Sequence, residues 1–309
     1  MKRSLIIVIN ILLSVVLVCT SMRFREDEKK ELPLVKIDFP KYAGDIAEDL
    51  KFEVKIDDNY RAKNDSILDK FYIIDDNYEN IIQRIEMICG IESEMVKKDN
   101  LMIKGNKEKN IKCYGSTAFL YSDNSCNNDV IGEMKVDDDT CKAIAKMELE
   151  KLELYDETIE CYGVGYDIQT DLQTGEEIII SKTVYYDRKI NNIEVEGNAK
   201  IAVTLNSDSD VKSIYYSLRN PSYEYNVKKE NIRKISEAIE DCKKLEGYIE
   251  MPEGVNKILL DDVECVYWED SAPNSSNNTL QPVYKFTGKA YTDGVYVGEF
   301  VAIETALEQ

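Results

Sequence analysis

The dipeptide Asp293-Gly294, inside YKFTGKAYTDGVYVGEF (284–300), constrains this chain more than any other feature. Flanked by β-forming runs, it predicts a two-residue type I′ hairpin, because both central residues need positive φ and Asp-Gly tolerates it. The turn sets a register. Thr292 opposes Val295, and counting back pairs Ala290 with Val297, Phe286 with Val301 and Tyr284 with Ile303 on one face. The other face pairs Tyr291 with Tyr296, Lys289 with Gly298, Thr287 with Phe300 and Lys285 with Ala302. One face is apolar and the other mixed, so the hairpin is expected to cover a core, with Gly288 opposite Glu299 marking a bulge.

Helical stripes stand out upstream. After Asp75-Asp76-Asn77, the residues Tyr78, Ile81, Ile82, Ile85, Ile88 and Cys89 share one face, closed by Gly90. A second helix follows Asp137-Asp138-Asp139 with Cys141, Ile144, Ala145, Leu149 and Leu152 on its stripe. Carboxylates there cap free N–H groups and complement the positive helix end, so the acidic run reads as a cap rather than a metal site. A third helix lies between Glu230 and Glu246, carrying Ile232, Ile235, Ala238, Ile239, Cys242 and Leu245, with Gly247 behind it. Runs rich in β-formers surround all three: 34–39, 51–56, 70–74, 101–105, 111–122, 157–166, 177–187, 193–205, 211–218 and 257–269. Turns are expected at Thr174-Gly175 and at Ser207 to Asp210. The run NSDSDV from Asn206 begins like a calcium loop but lacks its glycine and distal glutamate, and reads as a hairpin turn. The expected fold class is α+β, with a helix packed on an antiparallel sheet in repeated units. The expected organisation is 33–133 as a first domain and 134–309 as a second region of two units, 134–220 and 228–309.

The opening 30 residues hold Lys2 and Arg3, an almost wholly apolar run from Leu5 to Val18, and then a charged stretch. This is an export signal or membrane anchor. Residues 5–22 reach the lower limit for a spanning helix, and the cations at its start place the bulk of the chain outside the cytoplasm. Three outcomes stand in order: a retained single-pass anchor over 1–22 followed by a stalk over 23–32; lipidation at Cys19, where Val18 occupies a position that wants a small residue; and cleavage after Ser21 with full secretion. The expected location is the cell membrane, with the folded part extracytoplasmic.

Composition narrows the chemistry. With 39 basic residues against 59 acidic, the net charge of -20 excludes a nucleic-acid partner. The absence of histidine removes Ser-His-Asp and Cys-His arrangements and most zinc chemistry. No phosphate loop and no D-T-G or D-S-G occurs, and Gly163-Val164-Gly165 starts a dinucleotide fingerprint that has no third glycine. Cys89, Cys113, Cys126, Cys141, Cys161, Cys242 and Cys265 form no C-x-x-C pair and are expected to be buried thiols, one or two disulfides being the minority reading. No catalytic, cofactor-binding or metal residue is assigned, and the chain is expected not to be an enzyme. A carboxylate-based hydrolase is the residual enzymatic alternative. Binding is the better class, with Tyr215, Tyr216, Tyr223, Tyr225, Tyr267 and Trp268 as interface candidates near strand ends.

The run Leu280-Gln281-Pro282-Val283-Tyr284-Lys285-Phe286, preceded by VECVYWED and a polar loop, resembles the C-terminal strands of YycI/YycH-type membrane-anchored regulators of Gram-positive sensor kinases. The wider PepSY-like extracytoplasmic group has similar strands. VYYDRKINNIEVEGNAKIAVTLNSDSDVKSIYY (184–216) is similar to that group's aromatic-Arg strand, short turn and returning strands, with Asn192 where the family often has glycine. Ser236-Glu237-Ala238 resembles its helix entry. The resemblance covers 135–307, and 33–130 only in the order of elements. It implies a PepSY/cystatin-like fold and a non-catalytic regulator whose transmembrane helix pairs with a partner, a sensor kinase being the partner it points to. The alternative is an extracytoplasmic lipoprotein binding a peptide or cell-wall component.

Overall fold

The structure is a computed structural model that describes residues 37, 39–56, 60–75, 78–91, 96–98, 101–114, 118–126, 132–270 and 279–308. All belong to one compact unit that starts at Lys36. The leader, the stalk and Cys19 lie outside the described residues. No helix among the described residues is long and apolar enough to cross a membrane.

The strands are β1 (Lys51–Val54), β2 (Lys70–Asp75), β3 (Val96–Lys98), β4 (Leu101–Gly105), β5 (Lys109–Tyr114), β6 (Ala118–Asp123), β7 (Ile159–Thr170), β8 (Glu177–Ile190), β9 (Ile193–Gly197), β10 (Lys200–Asn206), β11 (Val211–Tyr216), β12 (Asn220–Asn226), β13 (Tyr248–Glu250), β14 (Lys257–Glu269), β15 (Thr279–Thr292) and β16 (Val295–Thr305). The α-helices among the described residues are α1 (Tyr78–Cys89), α2 (Asp138–Lys151) and α3 (Ile235–Lys244). This corrects the expected α+β class of repeated helix-plus-sheet units. Among the described residues the protein is mostly β, 51% strand and 18% helix, built on one mixed 16-stranded sheet.

Strands choose partners far along the chain. The main path runs β12-β2-β15-β14-β9-β8-β10-β11-β6-β5-β4-β3, with β7 on β8, β16 on β15 and β13 on β16. Both β1 and β9 lie parallel to β14, while its pairing with β15 is antiparallel. β2 joins β12 and β15, and β6 joins β11. Helical periodicity locates the helices but carries no information on which strands pair, so a local reading assembles units that the ladder does not respect.

The first two helices follow their sequence signals, whereas α3 is shorter than the expected 230–246 and leaves Ile232 outside it, bridged to Leu307. Asp137 caps α2, its carboxylate accepting from the Thr140 amide at 2.8 Å, and Cys141, Ala145, Leu149 and Leu152 are buried. Gly90 closes α1 with a φ of 69°. On α3, Ala238, Ile239 and Cys242 are buried and the helix packs on β16. Cys89, Cys113, Cys141, Cys161, Cys242 and Cys265 are free thiols, and the Cys126 side chain lies outside the described residues.

The opening hairpin keeps its turn but changes register. Thr292 pairs Val295 and Tyr291 pairs Tyr296 as counted, then Val297 bulges and Ala290 pairs Gly298. Every later pair is therefore displaced by one, so Phe286 meets Ala302 and Gly288 meets Phe300. Phe300 and Ala302, rather than Val301, turn into the core. Gly288 marks a close approach, because a Cβ there would lie 2.4 Å from the Leu259 carbonyl, beside a bulge in β14 between Leu260 and Asp262.

Candidate interaction face

Strand alternation gives the sheet two unlike sides. On β8, β10 and β11 the side chains of Val184, Tyr186, Ile201, Val203, Ile214 and Tyr216 point to the inner side and are buried. All three helices lie on the inner side: Tyr186 donates to the Lys142 carbonyl of α2 at 3.4 Å, α1 buries Ile82 and Ile85 in the same core, and Tyr284 of β15 donates to the Arg233 carbonyl, at the entry to α3, at 2.8 Å.

The outer side of β7 to β3 carries two cross-strand rows, the first ending at β4 and the second reaching β3. One runs Gly165, Thr183, Thr204, Ser213, Ser122, Asn110 and Gly105. The next runs Gly163, Tyr185, Ala202, Tyr215, Leu120, Lys112, Ile103 and Val96. At about 4.8 Å per strand the second row is roughly 34 Å long. Its side chains are mostly half-exposed, yet Lys112 is the single charge in either row. In a chain that is 32% charged, a solvated sheet face of this composition departs from the polar, charged pattern that keeps such faces in water.

Local chemistry orders the strip. Gly165 leaves room for Tyr185, whose Cε2 would lie 2.9 Å from a Cβ at that position, and Tyr162 stacks on Tyr185 at 5.8 Å. Thr183 and Thr204 share a hydroxyl hydrogen bond of 3.0 Å, and Tyr215 donates to Asn198 Oδ1 at 3.3 Å. At the border Asp187 pairs across strands with Glu160 and Lys200. Its Oδ1 is buried without a partner among the described residues. Burial is the main cause that lifts the Asp187 carboxyl to about 6, with Glu196 and Glu194 adding to it against Lys200 and Lys285. Beyond it, Lys285 reaches Glu196 at 2.6 Å and Glu194 at 3.2 Å. Burial works to lower the Lys285 pKa, but those carboxylates outweigh it and hold the ammonium charged well above its ordinary value.

Below the strip, buried charges tie the two halves of the sheet together. Arg219 Nε donates to Glu269 Oε1 at 2.8 Å, both side chains being fully buried. Arg188 donates to the Arg219 carbonyl at 2.6 Å and to Asn220 Oδ1 at 3.2 Å. Gly197 is required here: its φ is 89°, and a Cβ would lie 2.1 Å from the Glu269 carbonyl.

Of the sequence-derived interface candidates, Tyr215 lies on the strip. Tyr216 is buried on the other side, stacked on Phe119 at 5.3 Å, and Tyr267 is buried against Tyr72 at 5.4 Å. Tyr225 is half-buried and stacks on Phe71 at 5.3 Å, and the Tyr223 side chain lies outside the described residues. Trp268 is buried beneath Phe39 and Tyr248. Tyr185, Thr183, Thr204, Ser213 and Leu120 were not among those candidates; their mark is an uncharged outward position in each of four strands, which becomes a strip only where the fold sets those strands side by side. Among the described residues no group of His, Cys, Asp and Glu is placed to hold a metal ion.

No family model matches the chain, and no curated protein matches it. Among solved structures it is similar to an uncharacterized protein from Eubacterium rectale, at 9% identity over 85% of this chain and 90% of that one, with a TM-score of 0.41. It is weakly similar to the YpeB C-terminal domain of Bacillus megaterium, at 8% identity over 72% of this chain and 96% of that one, with a TM-score of 0.32. At that level of superposition neither likeness carries an argument about fold or function.

Proposed function

We propose that the chain is a membrane-tethered, non-catalytic binding protein that engages a partner protein outside the cytoplasm through the outer strip of β7 to β3. The observation that carries this reading is the strip itself, roughly 34 Å of half-exposed Tyr, Thr, Ser, Ala and Leu with one lysine in a chain of net charge -20. Tyrosine enrichment and loss of charge at the centre of a patch are the compositional marks of protein interfaces. The apolar leader supports the tether, and the resemblance of 184–216 and 280–286 to YycI/YycH-type and PepSY-like proteins favours a membrane sensor kinase as the class of partner. Full-length protein is isolated from membranes of its own cells beside a Thr204→Glu/Tyr215→Lys variant. The reading expects a co-isolated membrane protein that the variant loses while far-UV circular dichroism and melting are unchanged. Equal recovery with both chains contradicts it.

A further inference from the structure

On the far side of β9 the outer face is apolar and covered. Val266 and Trp268 of β14, Val283 of β15 and Ile303 of β16 are buried together with Ile37, and Phe39 and Tyr248 pack at the margin. The register places these strand residues on one side, since Val266 pairs Val283, and Lys285 pairs both Glu264 and Ile303. Phe39 meets the Trp268 ring edge at a centroid distance of 5.1 Å, and Tyr248 closes the other flank at 5.6 Å.

What covers the patch is held by side-chain packing and not by a strand ladder. Neither Ile37 nor Phe39 belongs to a strand, and neither makes a backbone hydrogen bond among the described residues. Among the described residues of this stretch, Ile37 and Phe39 sit on the patch by side-chain packing, and Tyr42 packs on the main core. Trp268 Nε1 is buried and has no acceptor among the described residues, although a buried indole N–H ordinarily finds one. An occupant that brought a carbonyl oxygen to that nitrogen would suit the patch better than the present one.

We infer that the Trp268 patch is a docking site for an extended peptide segment of a partner protein that bears apolar side chains two residues apart, and that Ile37 and Phe39 occupy it in cis as a displaceable strap. The occupant is defined by the strap: an extended chain puts alternate residues on one face, and an aliphatic followed by an aromatic side chain fills this surface. This inference concerns a different surface from the β7–β3 strip and stands or falls without it.

The chain has one tryptophan, so Trp268 emission reports the patch directly. The probe is a synthetic peptide, LVKIDFPK, with a nitroxide at its C-terminus, titrated into the full-length chain in detergent. Saturable quenching is expected in the wild type. In an Ile37→Ala/Phe39→Ala variant half-saturation should come at least tenfold lower, because the competing strap is weakened, and a peptide with alanine at both apolar positions should not quench. Absence of saturable quenching in the wild type overturns the inference, as does equal quenching by the alanine peptide. The wild-type titration decides alone if the variant loses its circular dichroism signal. Quenching that tracks dimerisation of the chain assigns the patch to a second copy's strap and overturns the partner assignment.

Discussion

Glu304 offers a sharp test of how β16 and α3 close the fold. Its side chain is 4% exposed, and Oε1 accepts the Gly247 amide at 3.1 Å just past the end of α3. Burial lifts its carboxyl to about 7, with Asp241 adding to the rise while the Gly247 hydrogen bond and Arg233 oppose it. A raised acid is a cost that appears with pH. Below its unfolded value near 4.5 the carboxyl is protonated in both states and costs nothing; as pH climbs towards 7 the unfolded chain ionises first, and stability is lost. At about 1.4 kcal/mol per pKa unit, the full loss is about 3 kcal/mol. Glu304→Gln keeps a carbonyl acceptor for Gly247 and removes the titration. Urea unfolding at pH 5.5 and 8.5 stays clear of the isoelectric point near 4.6. The advantage of the variant over wild type should grow by about 2 kcal/mol between those two pH values. An advantage that is the same at both pH values would refute the reasoning, because it would mean that Glu304 is not held in a desolvated site.

Other outcomes follow from the junction and the strip border. Arg219→Leu strands the fully buried Glu269 carboxylate without its guanidinium and should cost about 3–5 kcal/mol in urea unfolding, with Arg219→Leu/Glu269→Leu recovering at least half of the loss. Gly197→Ala drives a methyl group into the Glu269 carbonyl at a positive φ, so melting should fall by several degrees, whereas Gly163→Ala, which meets nothing within 4 Å, should leave it nearly unchanged. Asp187→Asn should make the protein more stable than wild type above pH 6, with the gap narrowing as pH falls towards 4, as thermal melts across that range would show.

The helices and turns were legible because their causes are local. Asp137 caps α2 through its own side chain, Gly175 turns the β7–β8 hairpin at a φ of 72°, and Asn206 accepts the Asp208 and Asp210 amides at 3.1 and 2.8 Å to make the hairpin once set against a calcium loop. Pairing was not legible. Nothing near Val195 announces that it runs parallel to Tyr267, and nothing in Lys51–Val54 points to Lys257–Leu260. β12, with Pro221 and Glu224 in it, and the three-residue β13 have too little pattern to read as strands. The Val297 bulge escaped for a similar reason, since Gly298 rather than the turn decides it: its φ is 155°, and a Cβ would lie 2.7 Å from the Pro252 ring. The strip is hidden in the sequence because aromatic content points instead to Tyr216, Tyr267 and Trp268, which strands bury for packing. Its mark is a missing charge at alternate positions of strands whose neighbours only the fold supplies.

The central claim is that the uncharged outer strip, and not another surface, meets the partner. Benzoylphenylalanine placed at position 215 or 204 of the full-length chain, with position 147 on the solvent side of α2 as control, tests it in intact cells. Met147 is 66% exposed and lies on the helical side of the sheet. Photolysis is expected to trap one membrane protein from 215 and 204 and nothing from 147. Cross-links from 147 with none from 215 or 204 would contradict the account.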